Sequence, residues 1–347
     1  MLRQEVSETQ ERLDFAERLL AQGPEARRAG PQRLRLAGGD HSKGRRGVGP
    51  MRLAHPTYLI LACALALPAH AAPPSSPNRV TILYDAFGGR AGLTRDWGFA
   101  ALVEYNGKRI LFDTGNNADI FADNVRALGV DLKTIDFVVV SHRHGDHTAG
   151  LNYLLTVNPG VKIYAPKEGF GIFGAELAGT FYRSDSTLPS RMRYFDGRPP
   201  AKLTFGTPWP TAHFVWVDSV TEVAPGVSII ATVSQKPGTL ELRELSLALR
   251  TPNGLILLVG CSHPGIEAIM DASTRIADHV YLILGGLHLV ITPDAEIERV
   301  ATVLHDRWHV DRIGPGHCTG EPAFKAFQRV FAAQYVYAGL GSTIDIP

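Results

Sequence analysis

The feature that most constrains this chain is Ser141-His142-Arg143-His144-Gly145-Asp146-His147, placed directly after the apolar run Phe137–Val140. A short continuous apolar run reads as a strand buried on both faces. The polar cluster is therefore delivered at a strand's end. Three histidines and an aspartate within six residues have no packing purpose, because such groups are buried only when partnered. His142 and His144 alternate with Arg143, so their imidazoles can face one cation, while Asp146 and His147 can reach a second. Neutral imidazole suits zinc, iron or manganese, and the adjacent carboxylate adds a hard anionic donor.

Composition narrows the class of partner. The 347 residues are 45% hydrophobic and 20% charged, enough for a sizeable globular core. With 35 Lys+Arg against 34 Asp+Glu the net charge is +1, which supplies no footprint for a dedicated nucleic-acid binder. A small-molecule partner is the expectation. Residues 1–50 carry little apolar periodicity and read as a disordered or non-native extension. From Met51 the order changes to Met-Arg, an apolar run over Tyr58–Leu67, and Pro68-Ala69-His70-Ala71-Ala72. That is the order of charged, apolar and cleavage regions in a signal peptide over 51–72. The expectation is a periplasmic or secreted protein, with a linker over 73–78 and no stable membrane span in the mature chain. Removing Cys63 with the leader leaves Cys261 and Cys318, too few for a disulfide scaffold.

The remaining chain, 79–347, reads as one α/β domain. Arg79–Asp85, Phe99–Glu104 and Arg109–Asp113 are expected strands, with Asn106-Gly107 as a hairpin signal between the second and third. Asn117–Leu128 has helical apolar spacing and is stopped by Gly129. A helix over Thr148–Thr156 and a strand over Lys162–Ala165 follow. Residues 166–225, rich in Gly, Pro and Arg, have no steady period and read as an insertion or lid. Strands near Val227–Ser234, Leu245–Arg250, Leu255–Gly260 and Val280–Leu284, helices at Gly265–Ala277, Ala295–Arg307 and Ala323–Ala333, and a strand at Arg312-Ile313 complete a second half. Two sheets flanked by helices are expected.

The pattern His-x-His-x-Asp-His after an apolar strand resembles the signature of the metallo-β-lactamase superfamily. That resemblance implies an αβ/βα four-layer sandwich with two mixed β-sheets and a di-metal site at one edge. It further implies a first metal on His142, His144 and another histidine, and a second on Asp146, His147 and a late histidine. Asp113 in Leu-Phe-Asp-Thr-Gly matches the superfamily's early aspartate, which orders the site. His317 in Gly-His-Cys-Thr-Gly matches the last ligand of the second metal. The superfamily's middle histidine has no equivalent between Leu151 and Pro252 beyond His213, whose surroundings differ. His263 is therefore the expected substitute, on coordination count.

Cys261 falls where a bridging aspartate normally ends its strand. Three roles are open to it: a thiolate ligand, a small buried hydrophobe, or a disulfide partner of Cys318. His288 is a catalytic candidate, either ligand or proton donor, against the alternative of a core histidine bonded to backbone. Gly-Cys-Ser-His-Pro-Gly, Gly-Gly-Leu-His-Leu and Gly-His-Cys-Thr-Gly, in that order, resemble the branch of metal-dependent hydrolases related to the archaeal dihydropterin-ribofuranosylaminobenzene-phosphate synthase. The expected activity is hydrolysis of an ester, lactone, amide or phosphoester by a hydroxide between two divalent ions, zinc first, then manganese or iron. A pterin-condensing transferase and a di-iron redox enzyme are the alternatives. Export counts against the former, whose phosphorylated substrates are cytoplasmic.

Overall fold

The computed structural model describes residues 78–167, 173–178, 186–206, 209 and 211–347. The extension and leader expected over 1–72, and nearly all of the linker, lie outside them. Among the described residues no helix is long and apolar enough to cross a membrane.

The chain opens as the expected meander, β1 (Arg79–Tyr84), β2 (Ala100–Tyr105) and β3 (Lys108–Phe112), joined antiparallel. Asn106 and Gly107 both take positive φ, 48° and 74°, at the β2–β3 turn. That is the requirement of a tight hairpin turn. Helix α1 (Ala118–Ala127) begins where Asn117 accepts the amides of Asp119 and Ile120, and Gly129 leaves it at φ 68°. Its buried Phe121 and Val125 pack on the sheet. Strands β4 (Phe137–Val139) and β5 (Lys162–Pro166) then add in parallel to β3.

The single helix expected over Thr148–Thr156 is instead two, α2 (Gly145–Thr148) and α3 (Leu151–Val157). Gly150 separates them, lying so close to Thr114 that an added Cβ would sit 2.2 Å from its carbonyl oxygen. The segment 166–225 also differs in part from an insertion. Strands β6 (Phe173–Ala178) and β7 (Lys202–Gly206) form a separate two-stranded sheet, but β8 (His213–Val217) pairs with β5 and β9 (Thr221–Ala224) with the second sheet. An edge strand needs cover on few positions, and here Val215 and Val217 face the core while His213 and Trp216 are exposed.

The second half contains β10 (Val227–Val233), β11 (Arg243–Thr251), β12 (Gly254–Val259), helix α4 (Ile266–Ser273), β13 (Val280–Gly286), α5 (Asp294–Thr302), β14 (Arg312–Gly316) and α6 (Glu321–Phe331). Helix α5 runs on into a wider π-helical turn over Val303–Arg307. A final strand not expected from sequence, β15 (Thr343–Asp345), pairs with β1.

Sheet one has the order β15-β1-β2-β3-β4-β5-β8 and sheet two β14-β13-β12-β11-β10-β9, each part parallel and part antiparallel. Between them lies a core that includes Val103, Ile110, Phe112, Leu247, Ile256 and Leu282. The outer face of sheet one is covered by α1 and α3, and that of sheet two by α4, α5 and α6. This is the four-layer αβ/βα sandwich. Its two sheets are joined at one edge by the amide of Leu245 donating to Ser141 O at 2.7 Å.

Candidate metal centre

The C-terminal ends of the parallel strands converge at that edge, where the carbonyl side of a strand hands the chain to a loop. β3 leads into Asp113, β4 into Ser141–His147, β12 into Cys261–His263, β13 into Leu287-His288, and β14 into His317-Cys318. Four non-glycine residues here, Asp113, Ser262, His288 and His317, have φ between 46° and 61°. Strain of this kind persists only where surrounding contacts over-determine the backbone.

Those contacts are buried carboxylates. Asp113, fully buried, accepts the amide of Ser141 at 2.6 Å, the Ser141 hydroxyl at 2.7 Å and His147 Nδ1 at 2.7 Å. Ser141 Oγ, its proton given to Asp113, accepts from His142 Nδ1 at 2.8 Å. Glu244 on β11, also fully buried, accepts the amides of Cys261, Ser262 and His263 at 2.9, 2.7 and 2.9 Å, and His263 Nδ1 at 3.0 Å. Burial works to raise the Glu244 carboxyl, but His263 and the loop amides outweigh it and hold the group below its usual value. Asp85, at the end of β1, accepts the amide of His317 at 2.9 Å, and burial pushes its carboxyl up to about 7.

With Nδ1–H committed in His142, His147 and His263, each imidazole turns the lone pair of Nε2 inward. His142 Nε2 lies 3.1 Å from His144 Nδ1, and His147 Nε2 lies 3.2 Å from both His317 Nε2 and Cys261 Sγ. The rings of His142, His144 and His263 are mutually 4.6–4.8 Å apart. Asp146 Oδ2 is 3.2 Å from His317 Nε2, while Asp146 Oδ1 is buried with no hydrogen-bond partner among the described residues.

Ring nitrogens capable of binding a cation thus stand at contact distance from one another. Nitrogens bound tetrahedrally to one zinc at about 2.0–2.1 Å stand roughly 3.3 Å apart, close to the separations here. Burial first, and then neighbouring imidazoles, lower His142 and His144 well below the ordinary histidine value, leaving them in the neutral form that ligates. Burial also opposes charge on His147 and His317. Asp146 and Asp113 nevertheless raise His147, and Cys318 and Asp146 raise His317 to about 10. The cluster calls for positive charge, which a cation supplies while releasing protons. Donor set, spacing and the orphaned Asp146 oxygen all fit divalent metal ions.

Every expected site residue is at this edge. His142, Cys261 and His263 form one group of ligand atoms within 4.8 Å, His147, Cys261 and His317 a second, and His142, Asp146 and His147 a third. His144 joins the first through its ring contacts. His288 lies 4.4 Å from the His263 ring and shares a fourth group with Cys261 and Cys318. Both cysteines are buried free thiols, so the disulfide is not formed. His213 is exposed at the start of β8 and belongs to none of these groups.

Trp97 reaches the site, its ring 5.3 Å from that of His317. Phe87 instead packs on Phe324 and Tyr337. Sequence reasoning missed Glu244 and Asp85. The available signal was a charged residue inside or ending an otherwise apolar strand.

Comparison with known proteins agrees with this fold. The model of the metallo-β-lactamase superfamily matches residues 94–231. A 7,8-dihydropterin-6-methyl-4-(β-D-ribofuranosyl)-aminobenzene-5'-phosphate synthase from Methanocaldococcus jannaschii is 31% identical over 271 residues, covering 71% of this chain and 88% of the relative. A ribonuclease Z from Clostridium botulinum is 36% identical over 58 residues, only 18% of its length. Among solved structures, Tm1679, a metal-dependent hydrolase of the β-lactamase superfamily, is 26% identical with a TM-score of 0.59, covering 78% of this chain and 99% of its own. The chain therefore belongs to the metallo-β-lactamase superfamily, in the branch of metal-dependent hydrolases related to the M. jannaschii synthase.

Proposed function

We propose that the protein is an exported hydrolase that uses two divalent cations, zinc first, on a small ester, lactone, amide or phosphoester. The observation that carries this reading is the convergence of imidazole ring nitrogens around Asp146, whose Oδ1 is buried with no hydrogen-bond partner among the described residues. His142, His144 and His263 would hold one ion; Asp146, His147 and His317 would hold the other. When bound, such a pair lowers the pKa of a water from about 15.7 to about 7 and polarises the oxygen under attack, so no Ser or Cys nucleophile is required.

The chain's own residues supply orientation and proton movement. Asp113, Ser141 and Glu244 fix the tautomer and tilt of three imidazoles. Asp146 would hold a cation and orient the nucleophile. His288, partly exposed beside His263, donates a proton to the leaving group. Trp97 packs beside the His317 ring.

The test is elemental analysis of the purified mature protein, paired with a hydrolysis screen over lactone, phosphodiester and β-lactam substrates before and after chelation. The expected result is about two zinc or manganese ions per chain and hydrolysis lost on chelation. Metal-free protein, or hydrolysis indifferent to chelator, would sink the proposal. The synthase relative favours a second reading, condensation of a pterin with an aromatic amine. Bound metal without hydrolysis of any substrate, but with turnover of a pterin and an arylamine, would establish that one instead.

Export rests on the Met51 leader. Edman sequencing of the protein recovered from periplasm or medium should begin at Ala72 or Pro73. Recovery from the cytoplasm alone, with residues 51–72 retained, would refute it.

A further inference from the structure

We propose that the outer face of sheet one, away from the metal centre, carries a site for a small phosphate-type oxyanion held by Arg79, Arg90 and Arg109. The assignment does not depend on the metal-dependent reading above.

Strand alternation brings the basic groups together. Val80, Ile82, Val103 and Ile110 point into the core between the sheets, so Arg79, Thr81, Glu104 and Arg109 stand on the opposite face. The register sets Arg79 against Glu104 and Glu104 against Arg109. β1 and β3 begin here and lead to Asp85 and Asp113 beside the metal centre. At about 3.3 Å per residue along those strands, the two regions are roughly 13–20 Å apart.

A cavity of about 220 Å³ lies on this face, its walls including the three arginines, Glu104, Thr81 and Thr343, with the C-terminal end of α1 at one side. Glu104 does not neutralise it. Its side chain is 5% exposed and both oxygens are engaged, Oε2 by Arg79 Nε at 2.6 Å and Oε1 by the Arg109 guanidinium. Three guanidinium groups against one carboxylate leave a net charge of about +2. The helix end contributes roughly minus half an elementary charge, too little to cancel that. Asp345 faces Arg79 in the register but does not line the cavity.

A second observation points to a missing acceptor. Arg109 Nε is buried with no hydrogen-bond partner among the described residues, whereas buried donors are normally paired. The hydroxyls of Thr81 and Thr343, 3.4 Å apart, add donors to the same wall. Guanidinium forks match the oxygens of phosphate and carboxylate two at a time, and three forks around one space suit a tetrahedral oxyanion better than a planar one. The cavity is smaller than the roughly 300–1,000 Å³ of sites for drug-sized ligands, which restricts the occupant to a small anion. Arg90 comes from the loop between β1 and β2 that also carries Trp97 beside His317, so the occupant would touch the loop that reaches the metal centre.

The test is isothermal titration of the metal-loaded mature protein with inorganic phosphate at low salt, with methyl phosphate and acetate in parallel. Phosphate should bind saturably, more tightly than acetate, and more weakly as sodium chloride is added. Arg79→Gln and Arg90→Gln should each lower this affinity at least about tenfold, since hydrogen bonds to charged groups are the strong class. Asp146→Asn, in the metal centre, should leave it intact. Tighter binding of methyl phosphate assigns a phosphomonoester as the occupant, and equal or weaker binding assigns free phosphate.

No saturable binding overturns the proposal. So does binding that survives both arginine variants but vanishes in Asp146→Asn, which would place the anion on the metals. Acetate binding as tightly as phosphate overturns the class of ligand. Should Arg79→Gln fail to fold, Arg90→Gln decides, because Arg90 is exposed. The Arg109 Nε–H proton resonance, identified by its loss in Arg109→Lys, should also shift on adding phosphate, and a resonance that does not move refutes the site.

Discussion

Asp146→Asn should cut turnover by more than about a hundredfold, because losing an outer partner of a metal ligand already costs 10–100-fold and Asp146 is itself placed among the donors. The substitution keeps the side chain's volume and removes its charge. In the structure Asp146 Oδ2 lies 3.2 Å from His317 Nε2 and 3.7 Å from His147 Nε2, while Oδ1 is buried and unsatisfied. Burial works to raise this carboxyl, yet His147 and His317 overcome it and hold it well below the usual carboxylate range. It is therefore an anion kept for a cation. The same variant should fall from about two bound ions to about one, since His142, His144 and His263 do not depend on it. Asp146→Ala should act in the same direction. The check is kcat with metal content on one preparation, with far-ultraviolet circular dichroism to confirm the fold. Full activity with two ions retained would remove Asp146 from the mechanism.

The parts of this molecule legible in its sequence are those whose cause is local. The metal cluster was legible because its donors are consecutive and follow a strand whose burial is written in Phe137–Val140. The β2–β3 hairpin was legible because Asn106-Gly107 tolerates two positive φ values, and α1 because Asn117 and Gly129 punctuate it. What escaped depends on partners far along the chain. β15 is three residues long and exists because β1 offers an edge. β8 is hidden among prolines and glycine that, read locally, argue for a loop. Asp85 acquires its meaning only beside His317, 232 positions away, and Glu244 only beside His263. Gly150 stands where a side chain would meet the Thr114 carbonyl, a contact no window of sequence contains. The ligand set itself divides the same way. His142 to His147 could be assigned by spacing and His263 by coordination count, whereas the place of Cys261 beside His147 needed the geometry that brings the end of β12 to the first cluster.

Glu244→Ala should be the most damaging substitution outside the ligands. One carboxylate, buried within sheet two, accepts three consecutive loop amides and the Nδ1–H of His263. Alanine leaves all four donors without their acceptor, and each buried donor left unsatisfied typically costs about 1–3 kcal/mol. The loop also carries Ser262 at φ 61°, a conformation with its own cost that these bonds offset. The effect should reach the metal centre because His263 loses the contact that fixes its tautomer, while Cys261 loses the anchor of its amide. Glu244→Gln separates the two consequences. The amide oxygen can still accept from two of the four donors while its NH2 faces the other two, so part of the stability should return, but a neutral group no longer favours the imidazole as a strong donor. Denaturant melts of the metal-free protein and zinc titrations of each variant should therefore diverge: stability partly rescued in Gln, affinity still lowered by about 10–100-fold. Native zinc affinity in Glu244→Gln would show that the carboxylate only braces the loop. Native stability in Glu244→Ala would show that it does not brace even that.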